Sequence, residues 1–184
     1  MNNQLGINNG NEERQINDLY CTNPLALDML LNEETFNNNI WECCNGLSHL
    51  SNRLKEKGYK VRKSDIIRYS YDTEIIDFLQ CKERWNGDII TNPPYKDAQK
   101  FIEKAIQVIN DGNRIAMYLK INFLATQRRK KLFQDYPPKT IYVMCKRYSC
   151  AKNGDFETYN NGAVDYCWII WEKGYKGITQ IKWI

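Results

Sequence analysis

Apolar positions along this chain follow two periods. Short apolar or alternating runs at 40–44, 59–64, 87–91, 114–119, 140–145 and 164–171 read as strands. Helical spacing appears at 25–31, 48–57 and 98–108, and a further helix is expected over 123–133. Punctuation supports these boundaries. Thr22 or Asn23 can cap the first helix with Pro24 at its first position, Gly58 stops the second, and Asp111-Gly112 closes the third. The stretch 74–82 reads as partly helical, 146–162 as a long polar loop, and 178–184 as a last short strand. Residues 1–18 are polar and Asn-rich without periodicity, which predicts a flexible arm ahead of a single domain over 19–184. Strands alternating with helices, then a pair of strands, predict an α/β doubly wound, mainly parallel sheet with an antiparallel C-terminal strand.

Composition narrows the class. A chain of 184 residues, 42% hydrophobic and 12% aromatic, is sized for one core. No apolar run approaches the roughly 18 residues needed to span a bilayer, and the N-terminal residues lack a signal-peptide pattern. The expected location is the cytoplasm. Seven cysteines, an odd number, point to reduced thiols. With one histidine and no CxxC pair, no metal site is expected. The net charge of +4, from 26 basic and 22 acidic side chains, points only weakly to a polyanionic partner.

The candidate chemistry centres on Asp88-Ile89-Ile90-Thr91-Asn92-Pro93-Pro94-Tyr95. An apolar strand stops at two prolines, with an amide before them and an aromatic ring after. Proline fixes its own φ and pushes the preceding residue into extended backbone, so Asn92 is held at a strand end and Pro93 and Pro94 form a stiff corner. The side-chain amide, a proline carbonyl and the Tyr95 face make a polar clamp for a planar group bearing an amino substituent. In open α/β sheets ligands bind beyond the C-terminal strand ends. That edge collects 42–48, Asp65 and Asn92 to Tyr95. Asp65 follows Glu42 by about 20 residues, the spacing at which an acid reaches both ribose hydroxyls. Neither a Walker lysine motif nor a full GxGxxG is present, which argues against a phosphate-rich nucleotide and leaves S-adenosylmethionine as the nucleoside cofactor.

On these residues the chain resembles the class I S-adenosylmethionine-dependent methyltransferases, specifically the small adenine-specific DNA methyltransferases of phages and mobile elements. Asn92-Pro93-Pro94-Tyr95 matches that family's catalytic motif in full, and Trp41 to Ser51 is similar to its first motif. The resemblance implies a Rossmann-like class I methyltransferase fold and extends over roughly 19–176. It implies cofactor contacts from Tyr20, Thr22, Glu42, Cys43, Gly46, Asp65, Asp77, Phe78 and Asn92, with Asp77 and Phe78 at the cofactor adenine. Ser48 departs from the pattern, standing where a second glycine is usual. Its side chain would either crowd the cofactor's methionine end or donate to its carboxylate. His49 reads as structural, and Asp77 has the alternative of a solvated helix charge.

The implied activity is methyl transfer to the exocyclic amino group of adenine in DNA, with base flipping, in a bacterium or phage-infected host cell. Asn92 and the Pro93 carbonyl would accept from the amino group while Tyr95 stacks on the base. Arg128, Arg129 and Lys130, and Lys146, Arg147 and Lys152 of the 146–162 loop, are candidate phosphate contacts, with a solvated helix face as the alternative for the first cluster. Tyr148, Phe156 and Tyr159 interleave with the loop's charges, so the loop is the candidate recognition element. Two other readings stay open: methylation of an RNA base or a protein glutamine, and a degenerate methyltransferase fold serving as a nucleic-acid-binding module.

Overall fold

The computed structural model describes residues 20–152, 154–158 and 164–184. The arm expected over 1–18 lies outside the described residues, as do Tyr159 and the end of the polar loop. Ten strands and four α-helices are present among the described residues: β1 (Tyr20–Cys21), α1 (Pro24–Glu33), β2 (Asn39–Glu42), α2 (His49–Glu56), β3 (Lys60–Asp65), β4 (Glu74–Ile75), β5 (Asp88–Thr91), α3 (Ala98–Val108), β6 (Arg114–Lys120), α4 (Lys130–Asp135), β7 (Thr140–Val143), β8 (Ala151–Lys152), β9 (Tyr166–Glu172) and β10 (Gln180–Trp183).

Eight strands form one sheet in the order β10-β7-β9-β6-β5-β2-β3-β4. Neighbours are parallel except at β9, which runs antiparallel to β6 and to β7. The mixed α/β sheet with an antiparallel strand near its C-terminus matches the expected class. Within the expected antiparallel finish, only β9 is reversed; β10 is again parallel, at the edge beside β7.

The central strands are covered on both faces, which is why they read as continuous apolar runs. Ile89 faces one core and Ile90 the other. In the same way Ile115, Met117 and Leu119 alternate with Ala116 and Tyr118, and Ile169 and Trp171 alternate with Trp168 and Ile170. Helix α3 closes the first core with Ala98, Phe101, Ile102, Ala105 and Val108, spaced three or four apart along one stripe. Helices α1 and α2 close the second with Leu27, Leu30, Leu50 and Leu54. Each large side chain fully buried in this way contributes about 1.5–3 kcal/mol.

Local signals set the helix ends well. The Asn23 side chain accepts from Leu25 N–H at 3.0 Å, and Pro24 occupies the first turn of α1. Three expectations need correction. The helix expected over 123–133 is broken into 3₁₀ turns at Ile121–Leu124 and Gln127–Arg129 before α4 begins. Local side-chain contacts hold these turns: the Arg129 guanidinium lies 3.9 Å from the Phe123 ring centroid and donates to Phe123 O and Thr126 Oγ1. The 74–82 stretch is the edge strand β4 followed by a 3₁₀ turn at Phe78–Gln80. The polar loop contains β8, which pairs antiparallel with β1 far away in sequence. No helix among the described residues is long and apolar enough to cross a membrane.

Candidate active site

Strands β2, β3 and β5 are parallel, so Glu42, Asp65 and Thr91-Asn92 end on the same edge of the sheet. A cleft opens there, enclosing about 750 Å³ with the solvent at its mouth included. Its walls include Tyr20, Thr22, Glu42, Cys43, Gly46, Asp65, Phe78, Asn92 and Pro94. Motifs scattered over the chain thus converge on one cavity.

Glu42 is almost wholly buried at the end of β2. Its Oε1 accepts from the Cys44 N–H at 3.0 Å and from the Thr91 hydroxyl, which ties the ends of β2 and β5 together. Burial pushes its carboxyl up to about 8, with the Asp65 charge adding to the rise and the two hydrogen bonds opposing it. Asp65 is also raised by burial, against the backbone N–H groups of Gly46 and Ile67 that stabilise its charge. The Gly46 N–H donates to Asp65 Oδ2 at 2.8 Å, fixing the turn after β2 against the end of β3.

Ser48 takes φ +67, the only non-glycine positive φ among the described residues. Serine here occupies the left-handed backbone that glycine adopts freely, at a cost of about 1–2 kcal/mol. Its hydrogen bonds offset that cost. Ser48 N–H donates to Asn45 O at 2.8 Å, and Ser48 Oγ accepts from Asn45 Nδ2 at 2.8 Å. Asn45 Nδ2 also donates to Thr73 Oγ1 at 2.7 Å, and its Oδ1 accepts from Ser51. The Ser48 side chain is therefore committed to a buried network behind the turn and is not among the cleft-lining groups. Neither role expected for it, crowding a cofactor or donating to its carboxylate, matches this placement.

At the opposite wall, Asn92 Nδ2 donates to Tyr20 O at 3.1 Å and to Cys150 Sγ at 3.5 Å. Both amide hydrogens are used, which leaves Oδ1 as the open acceptor. The Tyr95 hydroxyl donates to the same sulfur at 3.2 Å, and the Tyr166 and Thr22 hydroxyls also lie against it. The Lys120 ammonium sits 4.9 Å from the Tyr95 ring centroid. Pro94 O accepts from Asp97 N–H at 3.0 Å, whereas the Pro93 carbonyl has no partner among the described residues. Burial raises the Cys150 thiol and pushes Cys21 up to about 11, so both are neutral thiols near pH 7.

Four buried side-chain atoms among the described residues lack a hydrogen-bond partner: Thr22 Oγ1, Glu42 Oε2, His49 Nδ1 and Asn92 Oδ1. All four belong to residues lining this cleft. Thr22 Oγ1 has only the soft thiol of Cys150 beside it. Each unsatisfied buried polar atom costs about 1–3 kcal/mol, and native folds carry few of them. Their concentration in one cavity marks a surface complementary to a polar ligand. Its chemistry also suits the expected cofactor: Glu42 opposes positive charge, Asp65 can bind hydroxyls, and Phe78 with Phe101 offers an apolar wall.

Other expected residues lie elsewhere. Asp77 is exposed, does not line the cleft, and caps the 3₁₀ turn by accepting from Leu79 N–H at 3.0 Å. In the basic cluster Arg129 is packed on Phe123, while Arg128 and Lys130 are exposed. Lys146 and Arg147 line a separate hollow at the loop after β7, and Lys152 is in β8. Sequence reasoning missed Cys150 as a partner of Asn92 and Tyr95. It also missed Thr91 as a partner of Glu42, and His49 as a cleft residue. Only Thr91 carried a local signal, by adjoining Asn92.

No family model matches the chain, and no curated protein is similar to it in sequence. Solved structures are similar in fold. A Listeria monocytogenes protein assigned to the class I S-adenosylmethionine-dependent methyltransferases superposes over 86% of this chain and 64% of its own, with a TM-score of 0.60 at 14% identity. The fold is that of the class I methyltransferases. The chain spans less than two thirds of that Listeria protein. Geranyl diphosphate methyltransferase, solved with S-adenosylmethionine, matches over 82% of this chain and 85% of its own (TM-score 0.57, 13% identity). The 23S rRNA methyltransferase ErmE matches over 87% and 72% (TM-score 0.56, 11% identity). The last two are named for a prenyl diphosphate and an RNA, so a shared fold leaves the substrate of this chain to its own site.

Proposed function

We propose that the chain transfers a methyl group from S-adenosylmethionine to the exocyclic amino group of adenine in DNA, with the target base flipped out of the duplex. The observation that carries this reading is the Asn92 amide. Its two hydrogens are engaged by Tyr20 O and Cys150 Sγ, and its buried oxygen is left as an acceptor in the cleft.

The amino nitrogen of adenine is a weak nucleophile because its lone pair is delocalised into the ring. Asn92 Oδ1 and the Pro93 carbonyl accept from its two N–H bonds, draw the nitrogen toward tetrahedral geometry and localise the pair. Asn92 is not a base, so its part is orientation and hydrogen bonding, effects that together supply up to about 7–11 kcal/mol when geometry is enforced. Tyr95 supports the base face, with its hydroxyl anchored on Cys150. Flipping costs a few kcal/mol, which stacking offsets in part.

S-Adenosylmethionine supplies a methyl group already activated by its sulfonium. Asp65 would hold the ribose, Glu42 the positive end, and Phe78 the adenine, with Tyr20, Thr22, Cys43 and Gly46 completing the walls. Asp77 stands behind this set, capping the 3₁₀ turn that carries Phe78. Arg128, Lys130, Lys146, Arg147 and Lys152 are proposed phosphate contacts.

The deciding experiment offers mixed-sequence DNA, RNA and protein with labelled cofactor and maps the modified positions. Label on N6 of adenine in DNA is expected; label only in RNA or on glutamine would replace the substrate. No cofactor binding by calorimetry at millimolar concentration would remove the enzyme reading and leave a binding module.

A further inference from the structure

A second hollow, of about 530 Å³ with its mouth included, lies between the loop after β7 and the start of α1. Strand β7 is parallel to β6 through the antiparallel β9, so this loop rises on the same edge of the sheet as Asn92. Lys146, Arg147 and Tyr148 line one side of the hollow, and Phe156 lines it as well. Two cations and two aromatic rings in one recess suit a phosphate joined to a planar base. Lys146 Nζ stands 5.4 Å from the Tyr148 ring centroid. Arg147 Nε donates to Asp165 Oδ1 at 2.8 Å, but both side chains are more than half exposed. Such a pair contributes little to stability and exchanges readily for a phosphate partner.

The position relative to the cleft gives this recess its meaning. Ser149 lines it, and the next residue, Cys150, contacts Asn92 and Tyr95. Phe156 meets His49 of the cleft edge to face at 5.2 Å. One peptide step is about 3.8 Å. Adjacent nucleotides of a stacked strand rise about 3.4 Å, and they lie farther apart when splayed. The hollow is thus one residue step from the thiol that holds Asn92, a separation on the scale of neighbouring nucleotides.

We propose that the hollow is a subsite for the nucleotide flanking the flipped adenine, with its base against Tyr148 and Phe156 and its phosphate on Lys146 and Arg147. This rests on the reading of the cleft as a DNA adenine methyltransferase site. Aromatic stacking accepts any base, so discrimination falls to polar groups at the rim. Asn23 lines the recess, and its Oδ1 is committed to Leu25 N–H, which leaves its NH₂ to favour a flanking base with an acceptor on its edge.

The test is fluorescence anisotropy of the full chain with a labelled single-stranded DNA nonamer carrying one central adenine. Two further nonamers are abasic on either side of that adenine. Tyr148→Ala is expected to weaken binding of the intact strand about tenfold and to leave binding of one abasic strand unchanged, while Tyr148→Phe keeps the wild-type pattern. Lys146→Ala is expected to reduce the salt slope by about 0.7 on every strand. Equal losses on intact and abasic strands, no loss at all, absence of DNA binding by the wild type, or preference for an RNA nonamer of the same sequence would each overturn the subsite. Methyl transfer to the same nonamers separates the two readings. Transfer without a Tyr148 effect removes the subsite and keeps the catalytic reading. Abasic-dependent binding without transfer does the reverse.

Discussion

The two walls of the cleft are built in opposite ways. The turn after β2 is held by partners close in sequence: Asn45 bonds Ser48 and Ser51 at separations of three and six residues, and Gly46 bonds Asp65 at nineteen. The wall carrying Asn92 is held from afar. Its amide meets Tyr20 at a separation of 72 and Cys150 at 58, and the Tyr95 hydroxyl meets Cys150 at 55. The first wall is built mainly within the β2–β3 unit, with Thr73 and Thr91 joining it from further along the chain. The second exists only once β1 and β8 have paired across the sheet edge. Cofactor affinity should thus depend on the local wall, and turnover on the assembled one.

The largest expected effect is at the assembled wall. Asn92→Ala should lower methyl transfer by about 10²–10³-fold, as loss of a preorganised polar group does elsewhere, with cofactor affinity within about twofold. Single-turnover rates and calorimetry measure the two quantities separately, and equal activity would refute the role of Asn92. Cys150→Ala comes next. A loose Asn92 amide should cost about tenfold in kcat with little change in the KM for cofactor, and Cys150→Ser should restore most of it because a hydroxyl still accepts. A loss that serine does not rescue would reduce Cys150 to packing.

On the local wall, Glu42→Gln should weaken cofactor binding about tenfold above pH 8, where the carboxyl is ionised and faces positive charge, and less near pH 7, where the empty site holds a proton. Its effect on the ligand-free fold has the opposite sign. The Glu42 carboxyl is raised from an ordinary 4.5 to about 8, so between those values the folded chain holds a proton that the unfolded chain has released. Stability of the wild type should therefore fall, relative to Glu42→Gln, as pH rises from about 4.5 to about 8. Thermal melts across that range check this, and parallel curves would contradict a buried, protonated Glu42.

Gly154→Ala tests a contact between the loop and the local wall. Its φ is +76, and an added Cβ would lie 2.7 Å from His49 Cε1, so His49 must shift. Cofactor affinity should drop about threefold to fivefold, a loss of about 1 kcal/mol. The smallest effect is expected from Ser48→Gly. It relieves left-handed strain but loses the bond from Asn45, and its side chain does not line the cleft, so affinity should stay within about twofold. A large gain in affinity would mean that the serine had been obstructing the site.

The structure changes the reading of Ser48. As a departure from a glycine pattern it reads as a side chain that either crowds the cofactor's methionine end or donates to its carboxylate. In the fold it keeps glycine's backbone geometry and turns its hydroxyl into the Asn45 network. Asp77 moved the other way: it sat where a cofactor contact was expected, and it caps a 3₁₀ turn outside the cleft lining. The helix expected over 123–133 is replaced by short 3₁₀ turns in which Arg129 packs on Phe123 six residues back, a local contact outside the helical i, i+4 pattern.

By itself the sequence determined the alternation of strands and helices, the cap of α1 at Asn23, the stiff corner at Asn92-Pro93-Pro94 and the acids at the ends of β2 and β3. These are consequences of periodicity, proline sterics and capping, which act over a few residues. Only the tertiary structure decided that β8 would pair with β1. It also decided that a thiol from the polar loop would anchor both Asn92 and Tyr95, and that the unpartnered polar atoms would share one cavity. Those features depend on contacts more than fifty residues apart in sequence. No local pattern encodes such contacts, because what fixes them is the packing of the whole sheet.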